Sequence, residues 1–209
     1  ATAPTLYLPY RQLEGNAGGG STLYSYARAI VRASKERAKP VAERRAGYAD
    51  SDIAALGRRL ASEAPIAKGV EEIQLSFWLS KTREYLTVDN ANVKSMLGRE
   101  NPEGIAAKLV ETKLIDPAFR AQALAMTPEQ LAASGDPMIA FVLANDDAAQ
   151  AVRTQWNAGA NGPTARAAEK VAQARFAVYG DNLYPDATFS LRLSYGQVKG
   201  WTYRGVTVP

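Results

Sequence analysis

The chain contains no cysteine and no histidine in 209 residues. Without cysteine there is no disulfide, no thiolate zinc site and no cysteine nucleophile. The compartment stays open, because cytoplasmic and periplasmic proteins alike can lack the residue. The missing histidine excludes more. Histidine titrates near neutral pH and is the usual general base. A Ser-His-Asp triad therefore cannot be assembled from this chain alone, and most transition-metal sites lose their commonest ligand. Long apolar runs are absent as well: none approaches the roughly 18 residues that a helical membrane span needs. The stretch Ala1 to Pro9 carries no basic segment followed by an apolar one, so no signal peptide is read there, although a trimmed chain would also lack one.

What is present describes an ordinary globular chain. Hydrophobic residues make up 46% and charged residues 22%, in the range of packed domains. The length suits one large domain, or one domain and a piece of a second. The net charge of +4 is mild but unevenly spread. Between Arg28 and Arg45, seven basic residues (Arg28, Arg32, Lys35, Arg37, Lys39, Arg44, Arg45) stand against two acidic ones, Glu36 and Glu43.

Periodicity points to a mainly α fold. Residues 1–20 read as an extended lead-in and a glycine-rich loop, Asn16 to Gly20. Ser21 offers a helix N-cap. Leu23, Tyr26, Ala27, Ile30 and Val31 then share one helical face, with Arg28, Arg32 and Lys35 on the other, and the helix should stop before Pro40. A second helix is expected from Asp52 to about Ser62. In the third, over residues 66–86, Ile66, Val70, Ile73 and Phe77 form one apolar stripe, and Leu75, Trp78 and Leu79 a second. Apolar on two sides, this helix is expected to be buried between neighbours.

One start signal then occurs four times: Asn101-Pro102, Asp116-Pro117, Thr127-Pro128 and Asp136-Pro137. The first residue of each pair can cap, and the proline has no N–H to lose at the first helical position. Short helices are expected, then a longer one with Met138, Val142, Ala149, Val152 and Trp156 at helical spacing. Asn157 to Gly162 reads as a loop. The last helix runs from Pro163 to Tyr179, with Ala167, Val171, Ala174 and Val178 inward and Gly180 as its stop. After Tyr184 the pattern changes to alternation. Phe189, Leu191, Leu193 and Tyr195 alternate with polar residues, as in a half-buried antiparallel strand. A phase slip at Gly196 reads as a β-bulge, and Trp201 to Val208 as a returning strand. An isolated strand of this kind needs a sheet, and no other segment alternates.

The run Lys170 to Tyr179, followed by Tyr184-Pro-Asp-Ala-Thr-Phe-Ser-Leu-Arg-Leu-Ser-Tyr-Gly-Gln-Val-Lys-Gly-Trp201, resembles a signature region of the bacterial dipeptidyl-peptidase 7 and 11 family, serine peptidase family 46. Tyr24 to Arg28, Lys39-Pro40, Pro65-Ile66 and Gly135 to Met138 fall in the family's order. The resemblance implies a chymotrypsin-like double β-barrel with a large helical domain inserted into it and capping the cleft. The catalytic His and Asp would precede the insertion and the nucleophilic Ser would follow it. Residues 1–183 then correspond to the helical cap or regulatory domain, and 184–209 to the first returning strand or hairpin of an absent barrel. On this reading the chain is a fragment and is inactive alone. No catalytic, cofactor-binding or metal-ligating residue is assigned, and no cofactor is implied. Peptides are the expected partners of the parent enzyme, without nucleic acid or membrane, and the resemblance implies a periplasmic location. The unpaired strand, residues 187–199, is expected to associate with another copy of the chain.

Other constellations have plainer readings. Gly15 to Thr22 has the outer spacing of a phosphate-binding loop but no lysine after the second glycine and no strand before it. Ser34-Lys35 and Ser80-Lys81 are adjacent, so their side chains diverge on a helix instead of forming a dyad. Glu71-Glu72, Asp50/Asp52 and Asp146-Asp147 are expected in turn or capping roles. Asp89 to Asn92 resembles a calcium loop only loosely, since Lys94 occupies the position that requires glycine. Trp78 and Trp156 are read as core. The alternative function is a freestanding helical protein that binds an acidic partner or nucleic acid through the basic face 28–45, although a solvated helix face explains that stretch without any ligand.

Overall fold

The computed structural model describes residues 3–180, 195–196 and 199–208. The fold is mainly α. Its first helix, α1 (Ala3–Tyr10), continues into a π turn over Arg11–Gly15, where the sequence suggested an extended lead-in. No helical period marks this segment, and the reason for the helix is tertiary. The Tyr10 ring stacks on Trp156 at 4.9 Å and 11°, and Tyr7 tilts against the same indole at 5.9 Å. Contacts with a residue far along the chain override local preference.

The glycine loop lies flat on the protein. Gly19 has φ +61°, and a Cβ there would sit 2.7 Å from the Gln74 carbonyl oxygen and 2.8 Å from the Trp78 Cβ. Only glycine meets both demands. Helix α2 (Thr22–Arg37) then starts at Ser21, whose Oγ accepts from the Tyr24 N–H at 3.0 Å. Its apolar face is buried as expected, with Leu23, Ala27, Ile30 and Val31 fully enclosed. Helix α3 (Asp50–Leu60) and helix α4 (Lys68–Leu86) follow. A short helix, α5 (Ala91–Leu97), was not anticipated. Asn90 caps it by accepting from the Asn92 N–H.

All four proline signals start helices: α6 (Pro102–Leu109), α7 (Pro117–Ala125), α8 (Pro128–Ala133) and α9 (Pro137–Trp156). Asn101, Asp116, Thr127 and Asp136 each accept a backbone N–H of the first turn. Asp136 does more. Its carboxylate also takes the Thr112 hydroxyl and the Lys113 N–H, which ties the start of α9 to the segment before α7.

Helix α9 does not end in a loop. A π turn over Asn157–Asn161 carries it into α10 (Gly162–Tyr179). Gly159 lies where the chain comes close: a Cβ on it would meet Leu6 Cδ1 at 2.6 Å.

Contacts divide the chain into two compact units, Ala1–Ala165 and Arg166–Pro209. In the first, α2 packs on α7 and α9, α4 on α6, and α1 on α9. Leu23, Ile30, Leu60, Leu75, Leu79, Leu114, Leu131, Met138 and Ile139 form one continuous core. Arg120 is buried inside this unit with no carboxylate. It donates to the carbonyls of Leu60, Ser62, Leu114 and Ile115 and lies 4.7 Å from the Tyr26 ring. The open carbonyl end of α3 is satisfied in this way.

Two burial expectations are corrected. Leu75, Trp78, Leu79 and Leu86 of α4 are buried, but Val70, Ile73 and Phe77 are exposed. Only one of the two stripes reaches the core, because α6 covers one side of the helix. On α10, the positions expected inward, Ala167, Val171, Ala174 and Val178, are all exposed. In the second unit, Trp201 to Val208 is a complete hairpin and not a single strand. β1 (Trp201–Tyr203) pairs antiparallel with β2 (Val206–Val208), Trp201 opposite Val208. The turn residues Arg204 and Gly205 both have positive φ, which matches the right-handed twist of the strands. Phe189, Leu191 and Leu193, and with them most of the strand expected to pair with another copy, lie outside the described residues.

Candidate functional site

The charged side of α2 faces protein, not solvent. Arg32, only 5% exposed, lies at the centre of a buried network. Its Nη1 and Nη2 donate to Glu14 Oε1 and Oε2 at 3.0 and 2.6 Å, and its Nε donates to Asp146 Oδ1 at 2.7 Å. Planar guanidinium and carboxylate suit such bidentate contact. Arg28 adds a 2.6 Å contact to Glu14, and Arg153 reaches the same carboxylate at 3.5 Å. Lys35 lies between Asp147 at 2.6 Å and Asp146 at 3.7 Å. Burial alone would raise the Glu14 pKa. The Arg32 hydrogen bonds and the charges of Arg28, Arg32 and Arg153 outweigh it and hold the carboxyl below its ordinary range. Burial likewise works against the Arg32 charge, but Glu14 and Asp146 more than restore it. Tyr24, buried beside them, has its phenol pushed up to about 12 by desolvation.

A second network surrounds Glu36, which is 1% exposed. Its carboxylate accepts from Lys39 Nζ at 2.8 Å, from the Arg45 N–H at 2.9 Å and from Arg45 Nε at 2.6 Å. Desolvation opposes its charge, yet these bonds bring its pKa down to about 2. Arg45 also reaches Gln150 Oε1 and lies 5.5 Å from the Tyr48 ring. Arg44 pairs with Asp50 at 2.7 Å, and Arg37 donates to the Met126 carbonyl at 3.1 Å. All seven basic residues of the 28–45 stretch thus have partners inside the chain. The solvated-face reading is corrected: the positive charge of α2 is neutralised by acids on the N-terminal turn and on α9, 114 residues away in the case of Asp146.

Two adjoining depressions open beside these networks, of about 510 and 250 Å3. Ala29, Tyr48 and Arg59 line both. Arg45 and Arg153 join them in the larger, where Asp52 is the one acid of the lining. Arg28 and Arg32 join them in the smaller, which has no acid in its wall. A third depression, about 600 Å3, lies along the exposed stripe of α4, lined by Ile73 and Phe77 with Glu72 and Glu103 at its edges. Each of these depressions is open to a ligand or another domain.

The sequence constellations resolve as follows. The glycine loop is filled by Trp78 and Gln74, so it cradles no phosphate. Ser34 donates to the Met126 carbonyl while Lys35 turns to Asp146 and Asp147, and Lys81 pairs with Glu84. Neither serine has a lysine beside it. Ser21 and Thr112 do donate to carboxylates, Glu71 at 2.5 Å and Asp136 at 2.8 Å, but these groups are buried and serve helix starts. Glu71 also accepts the Thr22 and Leu23 N–H groups, both at 3.1 Å. It caps α2 from within α4, a capping role as expected. Asp146 departs from that expectation: it is a buried ion-pair partner. Its neighbour Asp147 points outward, as adjacent carboxylates on a helix must. Asp89 pairs with Lys94 at 3.4 Å, which fills the calcium-loop position with an ammonium group. Trp78 is buried and donates to the Gln12 carbonyl, and Trp156 is half-buried under Tyr7 and Tyr10. The Arg32 network was missed. Its only sequence signal is an excess of arginine on a helix face that should be solvated.

The model of the peptidase S46 family matches residues 1–209. The chain is also similar to the Asp/Glu-specific dipeptidyl-peptidase of Shewanella putrefaciens, with 30% identity over 199 residues. That alignment covers 88% of this chain and 26% of the relative, so the chain spans about a quarter of the relative's length. The chain belongs to the peptidase S46 family.

Proposed function

We propose that this S46 family member is the helical part of a serine dipeptidyl-peptidase, capping a cleft whose catalytic groups lie in other sequence. The reaction would be acyl transfer from a peptide to serine, releasing dipeptides from an unblocked N-terminus. The observation that carries this reading is a family match along the whole chain combined with a complete lack of histidine. A serine peptidase of the triad type needs a base that this chain does not contain. The relative, more than three times as long and itself named a dipeptidyl-peptidase, supports the reading. Peptides are then the ligands of the assembled enzyme. The periplasm is the location proposed, on the family's account.

The alternative, a nucleic-acid or acidic-partner binder acting through 28–45, loses support because each cation of that stretch is engaged within the chain.

The test has two arms. Fluorogenic dipeptidyl substrates given to the 209-residue chain should release no fluorophore. Intact-mass measurement of the protein as made in its own cells should show a chain several-fold longer. Dipeptide release by the purified chain, with contaminating peptidases excluded, overturns the division of labour. A native product of only this mass overturns the larger enzyme.

A further inference from the structure

Two arginines of the depressions lack a close carboxylate partner. Arg59, exposed in the last turn of α3, lines both arginine-walled depressions, and no carboxylate among the described residues pairs with it. Arg153, half exposed on α9, has Glu14 as its only acid among the described residues, at 3.5 Å. Both Glu14 oxygens are already taken at 2.6 Å by Arg28 and Arg32. Asp52, the one acid of the larger wall, has its Oδ2 committed to the Ala49 N–H at 3.0 Å. One helical turn from Arg153, the Gln150 side chain has a buried Nε2 without a hydrogen-bond partner, while its Oε1 takes Arg45. The wall therefore sets the guanidinium groups of Arg45, Arg59 and Arg153 against one carboxylate, Asp52. Between them, Ala29, Ala55 and Leu56 supply an apolar floor.

We propose that the depression between α2, α3 and α9 binds the carboxylate of an acidic peptide, received by Arg59 and Arg153 with Tyr48 beside them. A guanidinium fork is matched to a carboxylate. A volume of about 510 Å3 suits one or two residues of an extended peptide, and the apolar floor suits the methylene stem of a glutamate. A single pocket with an apolar base is a poor fit to a nucleic-acid backbone, which needs a charged stripe. This site rests on the peptide-substrate reading above and adds to it an anchor for an acidic residue.

Isothermal titration at low salt tests it, using the 209-residue chain. The probes are Ala-Glu-Ala-Glu, its C-terminal amide, the neutral amide Ala-Gln-Ala-Gln, and inorganic phosphate. The acidic peptide should bind at least about tenfold more tightly than the neutral amide, a difference of about 1.4 kcal/mol. The amidated acidic peptide separates side-chain from terminal carboxylate, and retention of affinity by either carboxylate supports the site. R59Q/R153Q should lose the preference while keeping wild-type circular dichroism and melting, since both side chains are exposed. R166Q, on α10, should leave binding unchanged. Equal binding of the neutral amide, affinity undiminished in R59Q/R153Q, or phosphate binding as tightly as the peptide overturns the proposal. Binding is read here without cleavage, so failure of this site leaves the dipeptidase reading standing on its own assay.

Discussion

Replacing Arg32 by methionine tests whether the buried charge network organises the helical unit. Methionine keeps most of the volume and removes the charge. Two carboxylates lose their partner. Glu14, with a side chain 6% exposed, keeps Arg28 at 2.6 Å. Asp146, 2% exposed, keeps only Lys35 at 3.7 Å. Breaking a buried pair from one side costs about 3–5 kcal/mol. The surviving Arg28 contact places R32M at the lower end, about 3 kcal/mol. For a domain of this size that corresponds to a fall in Tm on the order of 6–12 °C. Urea denaturation at neutral pH, followed by circular dichroism, measures it. The double variant R32M/D146N should be less destabilised than the sum of its single variants, by about 0.5–3 kcal/mol, because the stranded carboxylate has gone. A loss under about 0.5 kcal/mol in R32M, the size of an ordinary surface change, would refute the network as a structural element.

Three further outcomes are expected. G19A combines a positive φ with a Cβ 2.7 Å from a carbonyl oxygen, so it should lower stability by about 1–3 kcal/mol, read as a shifted urea midpoint. E71A should cost about 1.5–3 kcal/mol, and hydrogen exchange should show the Thr22 and Leu23 amides losing protection before the middle of α2. For Glu36, the folded pKa of about 2 lies below the ordinary 4.5. The group therefore stabilises the fold above pH 4.5, and that contribution disappears as pH falls towards 2. The stability gap between wild type and E36Q should be full at pH 6 and shrink across that window; a gap independent of pH would contradict the assigned shift.

The sequence was legible where structure is local. A capping residue followed by proline fixes a helix start within two residues, so α6 to α9 could be placed from Asn101, Asp116, Thr127 and Asp136 alone. The inner face of α2 follows from spacing in the same way. What could not be seen depends on distant partners. Nothing near Tyr7 and Tyr10 announces Trp156, so a helix was read as an extended lead-in. Nothing near Arg32 announces Asp146, so a buried cation was read as solvated. Asn157 to Gly162 was read as a loop because the close approach of Leu6 to Gly159 is invisible in one dimension. The two stripes of α4 look equivalent in sequence, and only the placement of α6 decides which is covered. For the candidate site, the 28–45 basic stretch drew attention to the right region. The arginines without dedicated partners, Arg59 and Arg153, lie outside that stretch.

The cap on α2 also has a consequence in time. Ser21 and Glu71 are 50 residues apart, yet together they satisfy the first N–H groups of the helix. On a ribosome making about 5–20 residues each second, Glu71 is added about 3–10 s after Ser21. Throughout that interval α2 can hold only the half of its cap that Ser21 supplies. Its first turn stays open until α4 has been made and has docked, so the nascent helical unit closes in a set order, with α4 completing α2.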